Sequence, residues 1–308
     1  MIYMLRPTLV SICVFTFVAS IAYAADPTEN PSDQIWLSPP KPTSSTSNWY
    51  AQPIDAPRGR VIEFDATRLT YAVESSDRKV TVAADRVLWI EPSSVPEDES
   101  TMIRLFEAGE FGKSLSYLPD VLKARPPVWR QQWLTMMSAC AAHRSGRAKI
   151  ALDLVEQLDR RPLPPMVIAW LPIQWNGGLA SGVANQQAGE RIDDESLLVQ
   201  LVAASWMLTS PDRSTAINKL QSLTRNRDRL DVARLAQVLL WTTKPPAEVI
   251  ESESKWLVQL DSFPMVMQAG PSMALQRKLR ASGQIDSANR LLWSNQLTPI
   301  HRWLGLVE

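Results

Sequence analysis

The stretch Leu105-Phe106-Glu107-Ala108-Gly109-Glu110-Phe111-Gly112-Lys113-Ser114-Leu115 governs the reading of this chain, because its pattern recurs. A Gly is followed by an apolar residue two positions on, a small residue three beyond that, and an apolar residue four further. The copies are Gly109/Phe111/Ser114/Leu118, Gly146/Ala148/Ala151/Val155 and Gly283/Ile285/Ala288/Leu292. Each lies between two stretches of helical periodicity, and Pro126, Pro162 and Pro299 follow the second helix of each. The spacing has a physical logic. Gly lets the chain reverse tightly, the small residue lets two helices approach, and the apolar positions face the neighbouring helix. A single hairpin cannot bury its apolar stripe, so several are expected to stack.

Working outward, the period of 3.6 runs from about residue 99 nearly to the end. It predicts helices near 99–109, 112–124, 128–144, 147–159, 166–186, 195–209, 212–225, 230–243, 247–261, 265–281 and 284–296. Pro126-Pro127, Pro162 with Pro164-Pro165, Ser210-Pro211-Asp212 and Lys244-Pro245-Pro246 mark turns between them, and Gly270-Pro271 interrupts one of them. Upstream, Val61-Ile62-Glu63-Phe64, Leu69 to Val73, Lys79 to Val82 and Arg86 to Ile90 alternate like four short strands, with Ser75-Ser76-Asp77-Arg78 as a hairpin turn. So small a sheet is marginal alone and should pack on the helices or close as a small barrel.

These residues resemble the tetratricopeptide family, most closely in Leu105 to Leu115 and in Leu279 to Leu292. The likeness covers three hairpins well; 165–262 follows only in helix length and order, and the Trp-x-x-Leu-Gly opening of the family is missing from all three. It implies a mainly α protein, a helical-hairpin solenoid preceded by a small four-stranded β module, that binds another protein or peptide. The whole arrangement also resembles secreted proteins of planctomycete type, which implies no activity.

The N-terminal residues carry Arg6 as their one charge before Ala25, an apolar run from Leu9 to Ile21, and Ala22-Tyr23-Ala24 as a cleavage site. The pattern is a secretory signal peptide over 1–24, with an uncleaved anchor as the rival; Ile12 before Cys13 argues against a lipoprotein. The run is short for a membrane span, so no integral span is expected in the mature chain. Residues 25–57, rich in Pro, Ser and Thr, read as a tether in which Trp36 and Trp49-Tyr50 could dock on the body. A β module over 58–95 and a helical repeat domain over 96–308 complete the expected organisation, and the protein is placed in the periplasm or outside the cell.

The 308 residues hold 32 basic and 32 acidic side chains, a balance that argues against nucleic acid as partner. Removing the signal leaves Cys140 as the sole cysteine, which cannot form an internal disulfide. His143 and His301 have no ligand cluster around them, so neither a metal nor another cofactor is expected. Cys140 and His143 share a helix, yet Cys140 sits among alanines and reads as a buried thiol. Asp193-Asp194-Glu195 precedes an apolar helix and reads as capping, Arg160-Arg161 as helix-end charges, Arg225/Arg227/Arg229 as helix-end charges or a small contact patch, and Gly177-Gly178 with Gly182 as a helix break. No catalytic, cofactor-binding or metal residues are nominated, and the chain is expected not to be an enzyme. Of the twelve tryptophans, Trp129, Trp133, Trp170, Trp206, Trp241, Trp256 and Trp293 fall on predicted helices and should fill seams, while Trp175 beside Asn176-Gly177-Gly178 is the candidate for exposure. The expected function is a protein-binding scaffold of the cell envelope or secreted space. The alternative is a module that binds cell-wall glycan or peptidoglycan through exposed aromatics.

Overall fold

Three glycines set the hairpins. Gly109, Gly146 and Gly283 all take positive φ, 75°, 75° and 80°, and each closes the same pair of backbone bonds. The N–H of Gly109 reaches Phe106 O and that of Glu110 reaches Leu105 O; Gly146 and Arg147 do so to His143 and Ala142, and Gly283 and Gln284 to Arg280 and Leu279. This is the Schellman ending, which satisfies orphan carbonyls of the helix just left and turns the chain into the next. The recurring sequence pattern is therefore a recurring helix stop. The small residues behave as expected: Ser114, Ala151 and Ala288 are all fully buried.

The computed structural model describes residues 32–40, 54–74, 76, 78–175 and 182–296, the last four by backbone alone. The signal segment 1–24, Trp49-Tyr50, Ser75 and Asp77 of the predicted turn, Gly177-Gly178, the side chain of Trp293 and everything from Leu297 onward, with Pro299 and His301, lie outside the described residues. The described part is mostly helical with a small antiparallel sheet. Its strands are β1 (Asp33–Leu37), β2 (Arg58–Phe64), β3 (Arg68–Val73), β4 (Lys79–Ala83) and β5 (Val87–Glu91), in spatial order β4-β3-β2-β1-β5.

Five strands replace the four expected. The extra one is β1, from the stretch assigned to the tether, and it lies between β2 and β5 with Ile35 opposite Ile90 and Trp36 opposite Trp89. Its five residues are flanked by prolines and serines, but Ile35 and Leu37 alternate onto the core face and are buried. Asp33 fixes its start, accepting from the Val61 N–H at 3.1 Å and the Ser93 N–H at 3.1 Å.

The helices are α1 (Glu97–Glu107), α2 (Phe111–Ser116), α3 (Leu118–Lys123), α4 (Val128–Arg144), α5 (Ala148–Asp159), α6 (Pro165–Ile168), α7 (Gly182–Glu190), α8 (Leu197–Met207), α9 (Arg213–Leu223), α10 (Leu230–Trp241), α11 (Pro246–Asp261), α12 (Ala269–Ala281) and α13 (Ile285–Gln296). The helix expected over 112–124 divides at Tyr117, because Pro119 opens the first turn of α3. The helix expected over 166–186 ends at Ile168, with Pro172 lacking the N–H that continuation requires. Gly270-Pro271 does not interrupt: both lie in the first turn of α12, behind a 3-10 turn at Met265–Gln268.

Consecutive helices pair as α4 with α5, α8 with α9 and α12 with α13, and α5, α8, α10 and α12 make contact in succession. The sheet shares this core, through Phe64 against Trp129 (6.1 Å between ring centroids) and Trp89 edge-on to Trp133 (4.8 Å). It also touches the Met265–Gln268 turn, from β5 and from Ala84–Arg86. Those long-range contacts depart from the neighbour-only pattern of an open repeat array.

Two glycine substitutions should separate conformation from packing. A Cβ at Gly146 meets nothing within 4 Å, whereas one at Gly270 would lie 2.1 Å from the Trp175 indole nitrogen. Gly146→Ala should therefore cost about 1 kcal/mol, from positive φ alone. Gly270→Ala should cost about 3 kcal/mol, because a buried indole must move. Urea unfolding of both variants measures the difference.

Candidate functional site

Tryptophan burial constrains every site on this protein. Trp89, Trp129, Trp133, Trp170, Trp175, Trp206, Trp241 and Trp256 are all buried; Trp36 is partly so. Trp175, expected to be exposed, is 3% exposed and packs its indole against Gly270. The local sequence misleads here because the polar Asn-Gly-Gly run follows the residue, while the preceding Trp170-Leu171-Pro172-Ile173 is drawn into the core. Trp241 stacks on Trp256 at 5.2 Å, closing the seam between α10 and α11.

Cys140 and His143 share α4, and each meets a different neighbour. The Cys140 thiol donates to the Trp170 carbonyl at 2.9 Å, and burial pushes its pKa up to about 12. His143 stacks on Trp206 at 4.3 Å, and burial, followed by the nearby Arg144 charge, pushes its pKa down to about 4. A protonated thiol beside a neutral imidazole cannot deliver a thiolate at neutral pH.

The acidic run 193–195 meets basic side chains and a helix start. Asp193 pairs with Lys219 at 2.6 Å. Asp194 pairs with Arg191 at 2.5 Å and accepts from the Ser196 N–H at 2.9 Å. Ser196 in turn caps α8, accepting from the Val199 N–H. Arg229 is neutralised by Asp159 and by Asp231, its Nη2 2.9 Å from Asp231 Oδ2, while Asp159 also accepts from Ser196 Oγ at 2.7 Å. Arg229 and Asp159 thus join α5, α8 and α10, and the patch suggested by Arg225/Arg227/Arg229 loses its last member; Arg225 and Arg227 are exposed. Arg160 is an exposed helix-end charge 3.6 Å from Glu156. Among the described residues no group of three or more His, Cys, Asp or Glu side chains is placed to hold a metal.

The best-formed cavity, about 290 Å³, opens where β5 meets α1 and α4. Trp89, Trp129 and Trp133 form one wall, Ile103, Val95 and Met166 add apolar surface, and Ser100 with Arg104 and Glu107 lines the side made by α1. An ion pair sits at its polar side. Arg130 Nε donates to Glu99 Oε1 at 2.6 Å, with Glu99 2% and Arg130 8% exposed. Arg130 Nη2 lies 2.5 Å from the same oxygen without hydrogen-bond alignment and has no other acceptor. The guanidinium also lies 6.0 Å from the Trp129 ring centroid. The cavity thus presents the small exposed parts of three tryptophans beside a buried ion pair, a lining suited to one apolar side chain. Sequence reasoning noted Trp129 and Trp133 only as seam fillers; Glu99 and Arg130, which no local pattern joins, were missed.

No known protein family, curated protein or solved structure matches this chain. Among the described residues no helix is long and apolar enough to cross a membrane.

Two measurements check this electrostatic picture. The unfolded His143 takes a proton near pH 6.5 and the folded one only near 4. Its stability contribution is therefore whole above 6.5 and is lost as pH falls between those values. Denaturant unfolding should lose about 2 kcal/mol between pH 7 and pH 5 from this group, and His143→Phe should remove that component. Glu99→Leu, which strands Arg130, should destabilise by about 3 kcal/mol, whereas adding Arg130→Met should restore most of it.

Proposed function

We propose that this protein is an exported, non-catalytic scaffold that binds another protein or peptide through the surface of its helical hairpins, in the manner of tetratricopeptide-like arrays. The observation that carries the reading is the cavity between β5, α1 and α4. It combines three tryptophans with a buried, incompletely bonded arginine, and it opens at the junction of an edge strand and a helical hairpin. Such a cleft accepts one anchoring side chain of a partner while the neighbouring helix face supplies the wider contact. The repeated Schellman turns support the likeness to hairpin arrays, since they give the helical units a common geometry. Cell-wall glycan has less support as the ligand, because stacking a sugar ring needs a broad open aromatic face, and Trp89, Trp129 and Trp133 keep only 8%, 6% and 7% of their surface exposed.

Ser100 is exposed and lines this cavity. Filling it with Ser100→Trp should leave the unfolding midpoint of the chain near that of the wild type, since no buried contact is removed. Affinity capture from envelope extract with the full chain should recover a defined protein that the variant fails to recover. An unchanged set of captured proteins, or capture of glycan alone, would overturn the reading.

A further inference from the structure

A second groove, of about 390 Å³, lies away from the tryptophan cavity and has a different chemistry. It is lined by Arg213 at the start of α9, by Thr242 and Thr243 at the exit of α10, by Arg277 and Lys278 on α12, and by Trp175 and Leu208 as apolar wall. Among the described residues three cations and no carboxylate line it. None of the three has a carboxylate at ion-pair distance among the described residues, although Arg130, Arg191, Lys219 and Arg229 elsewhere in the chain all find one.

Helix capping accounts for only part of this arrangement. Arg213 Nη2 donates to the Thr243 carbonyl at 3.3 Å and Lys278 Nζ to the Lys244 carbonyl at 3.2 Å, both at the exit of α10. Each contact uses one N–H of a side chain that offers five, for arginine, or three, for lysine. Arg277 has no hydrogen-bond or ion-pair partner among the described residues. Arg213, moreover, opens α9, where the helix dipole disfavours a cation. Burial, and secondarily the charge of Arg213, hold the Lys278 ammonium below its usual pKa. The threonine hydroxyls have no proton left to donate to a ligand. Thr242 and Thr243 give their hydroxyl protons to the Leu239 and Leu240 carbonyls, at 2.6 and 2.7 Å. Recognition therefore falls to the two guanidinium groups and the ammonium.

We propose that the groove between α9, α10 and α12 binds a multivalent oxyanion, of phosphate or polycarboxylate type, through Arg213, Arg277 and Lys278. Guanidinium forks suit either group because both present paired oxygens, and the ammonium adds a point charge. The volume exceeds that of a bare anion, so the natural ligand carries a small apolar body against Trp175, Leu208 and Ala274. This site stands on its own and does not depend on the protein-binding role of the tryptophan cavity.

The test is isothermal titration of the full chain with inorganic pyrophosphate and, separately, with citrate at low ionic strength. Saturable one-to-one binding of at least one probe is expected, and the preferred probe distinguishes the phosphate from the carboxylate source. Arg277→Gln, an exposed and unpartnered position, should weaken that binding at least about tenfold with an unchanged unfolding midpoint. Arg161→Gln, an exposed arginine outside the groove, should leave it intact. Absence of saturable binding by both probes, or equal binding by the Arg277 variant, overturns the proposal.

Discussion

One stretch of non-helical backbone inside the helical core constrains everything around it. Residues 169–175 run through apolar surroundings after α6 ends, and a buried backbone must have its polar groups met. Side chains of neighbouring helices meet them. Cys140 of α4 donates to the Trp170 carbonyl, Trp206 of α8 donates its indole N–H to the Pro172 carbonyl at 2.7 Å, and Ser205 of α8 accepts from the Gln174 N–H at 3.0 Å. Gly270 of α12 then leaves room for Trp175. Three helices far apart in sequence are thereby registered against one short segment. The same demand explains why Cys140 and Ser205 stand among buried apolar neighbours.

Much of the fold was legible because its signals are local. Gly109, Gly146 and Gly283 announce their turns through the residues that follow them, and the bounds 128–144 follow from periodicity and flanking proline, as does the start of the helix expected over 230–243, which ends two residues early at Trp241. What was illegible depends on partners distant in sequence. The five residues of β1 are too few to outweigh their prolines until β2 and β5 flank them. Trp175 looks exposed until Gly270, nearly a hundred residues on, is seen to receive it. The candidate cavity joins β5 to α1 and α4, and the oxyanion groove gathers Arg213, Arg277 and Lys278 from separate helices; neither leaves a spacing in the sequence.

The charges of the described residues divide into two regimes. Glu99 with Arg130, and Arg229 with Asp159 and Asp231, are drawn inward only with their opposites, as the cost of desolvation demands. In the groove of α9, α10 and α12 the opposite member is missing on the protein side. A chain whose formal charge sums to zero nonetheless gathers Arg213, Arg277 and Lys278 along one groove. Composition, which averages over the surface, cannot carry that information.

The contact between β5 and the Met265–Gln268 turn has a bearing on the order of events at birth. A chain made from its N-terminus completes all five strands long before that turn exists. Until then the part of β5 that meets the turn remains uncovered, at the edge of the sheet opposite β4. The nascent protein must therefore spend most of its synthesis, and of any passage across a membrane, with a sticky intermediate that a holding chaperone would shield.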